Sequence, residues 1–313
     1  FAYICYFIYY VYFAMIGDKM KKVKLIYNSG AGQSKFKYFL DTIIEKFMQN
    51  GCEVSVFRAA KKTNLYEYLK DCDSEGVYAI VVAGGDGTIN RVVNVIMKNN
   101  IKTPLGVIPA GTSNDFAKHI KMPNNFSDCI DKILTGNVQK VDVGLANDKY
   151  FINVCSAGLF TNASQKADVN LKNTIGKLSY FITAVDQFFK FRPFDVRIET
   201  KKETFNEKIN LFLIFNGSSA GGIDKFTDNS SIHDGLLDVL IIKKCKITEV
   251  PNLLAKVFAG KHFDDEHIIY LKEKWIKITK TRGKCDDPDV DGDEGPKFPL
   301  EVTCVENGLN MFL

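Results

Sequence analysis

The run Tyr78 to Ala83 passes directly into Gly84-Gly85-Asp86-Gly87-Thr88, and a helical pattern opens near Asn90. A strand, a loop with three glycines and a helix in immediate succession form one βα unit of a parallel sheet whose faces are covered by helices. Glycine lets the backbone approach a polyphosphate without side-chain clash, and the amides at the start of the next helix point at its oxygens. Asp86 is not a phosphate contact, because like charges repel. It reads as a group that holds Mg²⁺ directly or through water, or that orients neighbouring donors; the alternative is a tight turn with a surface Asp.

The same punctuation recurs. From Met20 onward, short β-rich runs alternate with helical ones. Val23 to Tyr27, Val54 to Phe57, Ala79 to Ala83 and Leu105 to Ile108 read as strands, with helices near Leu65 to Leu69 and Asn90 to Met97. Phe36, Phe39, Leu40, Ile43, Ile44, Phe47 and Met48 lie at helical spacing before Gly51, an amphipathic helix whose stripe packs on the sheet. These features predict a doubly wound α/β domain over residues 20–140. Beyond it, alternating runs such as Asp195 to Glu199, Leu211 to Phe215, Leu237 to Ile242, His267 to Leu271 and Trp275 to Thr279 predict a mainly antiparallel β-sandwich over 141–313. Helices at about Lys177 to Phe191 and Ile247 to Ala259 interrupt it, and Asn147-Asp148 marks a hairpin turn.

With 313 residues and 46% hydrophobic content, the chain can bury two cores. A net charge of +4 on 25% charged residues suits a globular protein that works near anionic surfaces and is not a dedicated nucleic-acid binder. The eight cysteines include no pair at metal-ligand or redox spacing, which points to a reduced, cytoplasmic compartment. Phe1 to Ile16 is uncharged and aromatic but falls short of the ~20 apolar residues of a spanning helix. Residues 1–19 are expected to be an upstream extension or a truncated leader ahead of a normal start at Met20, with an interfacial anchor as the alternative.

Two more loops follow strands in the same manner: Pro109-Ala110-Gly111-Thr112-Ser113-Asn114-Asp115-Phe116-Ala117 after Leu105 to Ile108, and Asn28-Ser29-Gly30-Ala31-Gly32 after the first strand. Three polar glycine loops at the carboxyl edge of one sheet should open onto one crevice. Gly84 to Thr88 with Asn90, together with Pro109 to Ala117, resemble the two signature loops of the diacylglycerol kinase catalytic-domain family, which also includes sphingosine and ceramide kinases. The resemblance extends from Met20 to Leu313, through Asp234-Gly235-Leu236-Leu237-Asp238 and Asp291-Gly292-Asp293.

The resemblance implies a lipid kinase that uses ATP and Mg²⁺ on a lipid hydroxyl at a membrane surface, most directly diacylglycerol, and that associates peripherally with the membrane. A homodimer is compatible with it. Asn28, Ser29, Gly30, Ala31 and Gly32 would form the first nucleotide loop, Gly84, Gly85, Asp86, Gly87, Thr88, Ile89 and Asn90 the second, and Thr112 a further contact. Asp86 and Asp115 would organise the catalytic Mg²⁺. Asp234, with the carbonyls of Ser231 and Leu236, would hold a structural Mg²⁺, unless Asp234-Gly235 is only a turn. The general base falls on Asp293, where most members carry Glu, with Glu294 one residue late; Asp286 to Glu294 otherwise reads as a solvated acidic loop. Arg91 stands where the family often has Glu, and Ala59-Ala60 where a threonine is expected. The rivals are an NAD kinase-like enzyme, which shares the Gly-Gly-Asp-Gly-Thr loop, and a non-catalytic lipid or nucleotide sensor.

Overall fold

The computed structural model describes residues 20–28, 38–60, 63–158, 192–217, 227, 230–246 and 248–313. The chain forms two units: the first runs to Gln139 and takes in Leu309–Leu313, and the second spans Lys140–Gly308. The chain's last five residues therefore belong with the first unit. Residues 1–19, the stretch Ser29 to Gly32 and the helix expected at Lys177 to Phe191 lie outside the described residues.

The first unit contains β1 (Lys21–Tyr27), α1 (Leu40–Gln49), β2 (Cys52–Arg58), α2 (Leu65–Leu69), β3 (Ala79–Gly84), α3 (Asp86–Lys98), β4 (Leu105–Pro109), α4 (Asp115–His119) and α5 (Phe126–Thr135). Its strands are parallel in the order β2-β1-β3-β4, and Met311 pairs in parallel with Leu105 beyond β4. All six residues of β3 are buried, as expected of a central parallel strand covered on both faces. In α1, Ile43 and Phe47 sit four apart and face the core, while the half-exposed Phe39 meets Phe126 edge-on at 5.2 Å. α3 begins at Asp86, four residues before the periodicity suggests. Gly85 is its N-cap in extended conformation, and the Asp86 charge in the first turn favours a helix N-terminus.

In the second unit, β5 (Val138–Ala146) and β6 (Lys149–Phe151) form a hairpin through Asn147-Asp148, with Asn147 at φ 49°. β7 (Val154–Gly158), β8 (Phe194–Thr200), β9 (Thr204–Phe215) and β10 (Leu237–Lys243) follow. After α6 (Val250–Ala259) come β11 (Ile268–Glu273), β12 (Trp275–Arg282), β13 (Asp289–Val290), β14 (Asp293–Glu294) and β15 (Leu300–Phe312). The pairings within this unit are antiparallel, and the long β9 joins β8, β7 and β10, so one strand serves both parts of a β-sandwich. Phe151, Phe194, Phe212, Ile241 and Ile278 lie in its main core. The described cysteines are unpaired thiols, and burial pushes Cys285 and Cys304 up to about 12, which keeps them protonated and inert.

α6 starts at Val250, with Pro251 in its first turn and a left-handed Gly260 closing it. It buries Val250, Leu253 and Leu254 against Leu211, Phe215 and Leu240. A carboxylate ties the return from α6 to β11: Asp265 meets Lys256 Nζ at 2.7 Å and accepts the His267 amide at 3.0 Å. Burial opposes ionisation of Asp265, but Lys256 and the amide and ring of His267 outweigh it and bring the pKa to about 2. Because the folded value lies below the unfolded ~3.9, the stabilisation is complete above pH ~4 and is lost as pH falls toward 2. Asp265→Asn should therefore lower the unfolding midpoint at pH 7 by the equivalent of ~1–2 kcal/mol, allowing for solvent screening, and shrink the gap from wild type by pH 2–3. Thermal melts across that range check it; a constant gap would remove the carboxylate's charge from the account.

Candidate active site

In the first unit, the order β2-β1-β3-β4 reverses direction between β1 and β3, and ligands of open parallel sheets bind beyond the carboxyl ends of the strands at such a switch point. Asn28 stands at the end of β1. Its amide donates to the Ala83 carbonyl at 3.1 Å, and its Nδ2 donates to Thr88 Oγ1 at 3.1 Å. The first and second expected nucleotide loops are thus joined at their roots.

The second and third loops are fused more closely. The Ala110 amide donates to the Gly84 carbonyl at 3.0 Å. A Cβ on Gly85 would lie 3.1 Å from Gly111 Cα, and one on Gly111 would lie 2.4 Å from Gly85 Cα and 2.7 Å from Asn114 Oδ1. Gly111 leaves no room for a side chain, and a Cβ on Gly85 would be tighter than ordinary contact. Asn114 holds the left-handed conformation at φ 51°; its Oδ1 accepts the Gly111 amide at 2.8 Å and its Nδ2 donates to the Gly111 carbonyl at 3.1 Å. Asp86 Oδ2 accepts the Asp115 amide at 3.2 Å and Oδ1 the Phe116 amide at 3.0 Å. Asp86 therefore caps α4 from another loop, where Asn114 provides no side-chain cap.

Other expected contacts divide by burial. Thr112 is exposed, Asp115 and Thr88 are buried, and Ile89 is a core residue. Asn90 is buried and accepts Asn94 Nδ2. The departures from the family pattern meet: Arg91 Nη2 donates to the Ala60 carbonyl at 3.2 Å, and the Thr63 hydroxyl bonds both the amide and the carbonyl of Ala60. Asn114 was not among the expected site residues; the signal for it is an Asn three residues after a glycine, a spacing at which its side chain closes on the backbone.

In the second unit, Asp234 Oδ1 accepts the Leu236 amide at 3.1 Å and Ser231 Oγ accepts the His233 amide at 3.1 Å. The loop is fixed by a residue the motifs did not reveal. Buried Asp142 accepts the Gly235 amide through Oδ2 and the Asn307 amide through Oδ1, both at 2.8 Å. Around this loop lie Asp234, Asp238 and Glu306, with Lys272 4.0 Å from Asp234 and 3.6 Å from Asp238 and Lys274 2.7 Å from Glu306. Burial pushes the Asp238 carboxyl up despite a bond from Tyr270 Oη. The negative excess and the oxygen donors suit a hard cation. No group of three or more His, Cys, Asp or Glu side chains among the described residues could hold a metal; one carboxylate with two carbonyls requires no such group.

Asp293 and Glu294 form β14, with Asp293 opposite Val290 and Glu294 opposite Asp289. Asp291 and Gly292 make the turn at φ 51° and 89°, the signs of a two-residue type I′ hairpin. Both carboxylates are exposed, and as neighbours on a strand they project to opposite faces.

A sheet with phosphate-type loops at its switch point, followed by an antiparallel sandwich bearing acidic loops, defines a two-domain nucleotide-dependent kinase. Residues 22–146 match the diacylglycerol kinase catalytic domain, and residues 153–313 match the YegS C-terminal NAD kinase beta sandwich-like domain. The diacylglycerol kinase of Bacillus subtilis (strain 168) is 33% identical over 295 residues, covering 94% of this chain and 97% of its own. That of Staphylococcus carnosus (strain TM300) is 31% identical over 292 residues, covering 93% and 95%. A crystal structure described as a diacylglycerol kinase from Bacillus anthracis str. Sterne matches with a TM-score of 0.76 at 26% identity, over 94% of this chain and 98% of that one. The chain belongs to the diacylglycerol kinase family and is an ATP-dependent lipid kinase.

The fused glycines give a direct test. Gly111→Ala must push the Gly85 backbone and the Asn114 side chain away, so ATP binding should weaken by about tenfold or more, while the core of β3 and β4 is untouched. Titration with a non-hydrolysable ATP analogue measures this, and unchanged affinity would show that the two loops do not act as one site.

Proposed function

We propose that this chain transfers the γ-phosphate of ATP to the free hydroxyl of diacylglycerol, forming phosphatidic acid, as a peripheral enzyme on the cytoplasmic face of a membrane. The observation that carries the reading is the joining of Asn28, Gly84 to Thr88 and Gly111 to Asp115 at the switch point of the parallel sheet. The names of the relatives supply the acceptor. Among the described residues no helix is long and apolar enough to cross a membrane. Reversible attraction of a chain of charge +4 to anionic lipid would bring it to its substrate.

In this reading Asn28, the glycine backbone of both loops and Thr112 orient the triphosphate, and the first amides of α3 face its oxygens. Bound Mg²⁺ supplies neutralisation of the charge that develops on the transferring phosphoryl group. Asp86 fits a role through water, because each of its oxygens already accepts one amide and keeps a further lone pair. Asp115 is the second carboxylate of that set. Asp234, with the Ser231 and Leu236 carbonyls, is assigned a structural Mg²⁺. Asp293 is assigned the proton of the lipid hydroxyl as its oxygen attacks phosphorus, since its carboxylate is exposed on β14 and open to a substrate hydroxyl.

The test incubates the full chain with ATP, Mg²⁺ and mixed micelles of dioleoylglycerol, with NAD as the parallel acceptor, and identifies products by mass spectrometry. Phosphatidic acid is expected; NADP, or no ATP consumption with either acceptor, overturns the reading. Asp293→Asn should lower kcat by ~10²–10⁴-fold at near-normal ATP affinity, and Glu294→Gln should leave it within a few-fold, because that side chain faces the other way. The reverse ranking transfers the role to Glu294. For the structural metal, EDTA should lower the melting temperature of the wild type, whereas Asp234→Ala should melt lower from the outset and ignore EDTA. Equal responses of the two proteins would leave Asp234 as a turn residue.

A further inference from the structure

The hairpin that carries Asp293 is held by a carboxylate to which the phosphoryl-transfer reading gives no part. β13 and β14 are two residues each, joined by Asp291-Gly292. β13 pairs with β7 through Asp289 opposite Ser156 and Val290 opposite Cys155, but β14 is paired to β13. So short a ladder cannot by itself hold a reacting carboxylate within the ~0.5 Å that productive geometry demands. The Gly295 amide on the Pro288 carbonyl and Lys149 Nζ on the Glu294 carbonyl brace its open end, and the turn carries the strongest constraint at the other. Asp291 Oδ1 accepts the amides of Asn153 at 2.9 Å and Val154 at 2.8 Å, and Oδ2 accepts that of Ile152 at 2.8 Å. Its own amide donates to the Val154 carbonyl at 2.9 Å. Three successive amides thus converge on one charged group, a concave anion site filled by the protein's own side chain.

We propose that Asp291 is the positioning residue for the proton acceptor: its carboxylate locks the β13–β14 turn onto the segment Ile152 to Val154 and so fixes where Asp293 points. The inference rests on the kinase reading above. The residue type follows from two demands at once. The left-handed φ of 51° is tolerated by Asp and Asn more readily than by other side chains. Only a carboxylate presents acceptors on both branches, because an Asn that kept its oxygen toward Asn153 and Val154 would turn its own NH₂ against the Ile152 amide. Asp291 acts through the turn and transfers no proton itself.

The experiment uses the full chain with ATP and dioleoylglycerol micelles. Asp291→Asn is expected to lower kcat by roughly 10–100-fold, the scale of an ångström-sized misplacement, while the KM for ATP stays within about twofold. Deuterium exchange at the Ile152 to Val154 amides should accelerate. Gly292→Ala strains the same turn at φ 89°, with open space around the added methyl and Asp291 intact, and should lower kcat in the same pattern; it carries the test if Asp291→Asn does not fold. The control is Asp73→Asn, which breaks a comparable clamp on the Lys102 and Thr103 amides in the first unit and should leave kcat unchanged below its melting temperature. Wild-type kcat in Asp291→Asn, or a loss that only follows the unfolded fraction as in Asp73→Asn, overturns the proposal. If the wild type phosphorylates no diacylglycerol, the kinase reading fails instead, and unchanged exchange at Ile152 to Val154 would then separately refute the clamp.

Discussion

The candidate site of the first unit depends on one contact, the meeting of the Gly85 and Gly111 backbones with no side chain between them. Two consecutive βα loops of a parallel sheet are ordinarily separate excursions, each shaped by its own strand and helix. Here the Gly84 carbonyl accepts the Ala110 amide, and the Asp86 carboxylate reaches across to the first amides of α4. A helix of five residues is too short to be stable through its own ladder. It is held from outside, by the charge on its N-terminus and by Phe116 and Ala117 buried beneath it. Loss of the glycine contact would separate Asp86 from α4, and the loop that follows β4 would lose its shape.

The two units share a device. In the first, Asp86 takes two backbone amides from another loop and Asp73 fastens Lys102 and Thr103. In the second, Asp142 takes the amides of Gly235 and Asn307, and Asp291 takes three in succession. Charge-assisted bonds of this kind are about twice as strong as neutral ones and act at the irregular places where strands and helices leave amides without partners. Burial would otherwise favour the protonated acid. The amides favour the anion, and for Asp73 the Thr103 hydroxyl together with the Lys102 and Thr103 amides outweighs burial and holds the carboxyl below its usual range. Each loop bearing a proposed catalytic or metal-binding carboxylate is therefore braced by a second carboxylate or by a second face of the same one.

Much of this was legible in the sequence because periodicity and glycine placement report local geometry. The continuous apolar run of β3, the Gly84 to Thr88 loop and the alternation in β8 and β12 each follow from which neighbours a residue must face, whereas β10, expected to alternate, is buried along nearly its whole length. The start of α3 was not legible. Apolar spacing cannot register the first turn, whose polar residues Asp86 and Thr88 serve the loop. Asp142 escaped for a different reason, and so did the role of Asp291, although the motif containing it was read: their partners are amides distant in the chain, 93 and 165 residues away for Asp142 and 137 to 139 for Asp291. A side chain that recognises backbone leaves no complementary residue type to find. Arg91 and Ala60 illustrate the converse, since two separate departures from the family pattern are one contact in space.

The position of Asp86 also restricts how it can serve phosphoryl transfer. A carboxylate offers about four acceptor sites, and the amides of Asp115 and Phe116 take one on each oxygen. An inner-sphere cation drawing on the remaining pairs would compete for electron density with the cap of α4, whereas a water bound to the cation would use a second lone pair and leave the cap in place. The residue that shapes the nucleotide loops and the residue that orders the cation's waters are then the same. Under the proposed reading, that union accounts for an acidic side chain in the middle of a loop whose ligand is negative: its charge would face backbone amides on one side and the solvent of a cation on the other, and the phosphates would meet the glycine backbone.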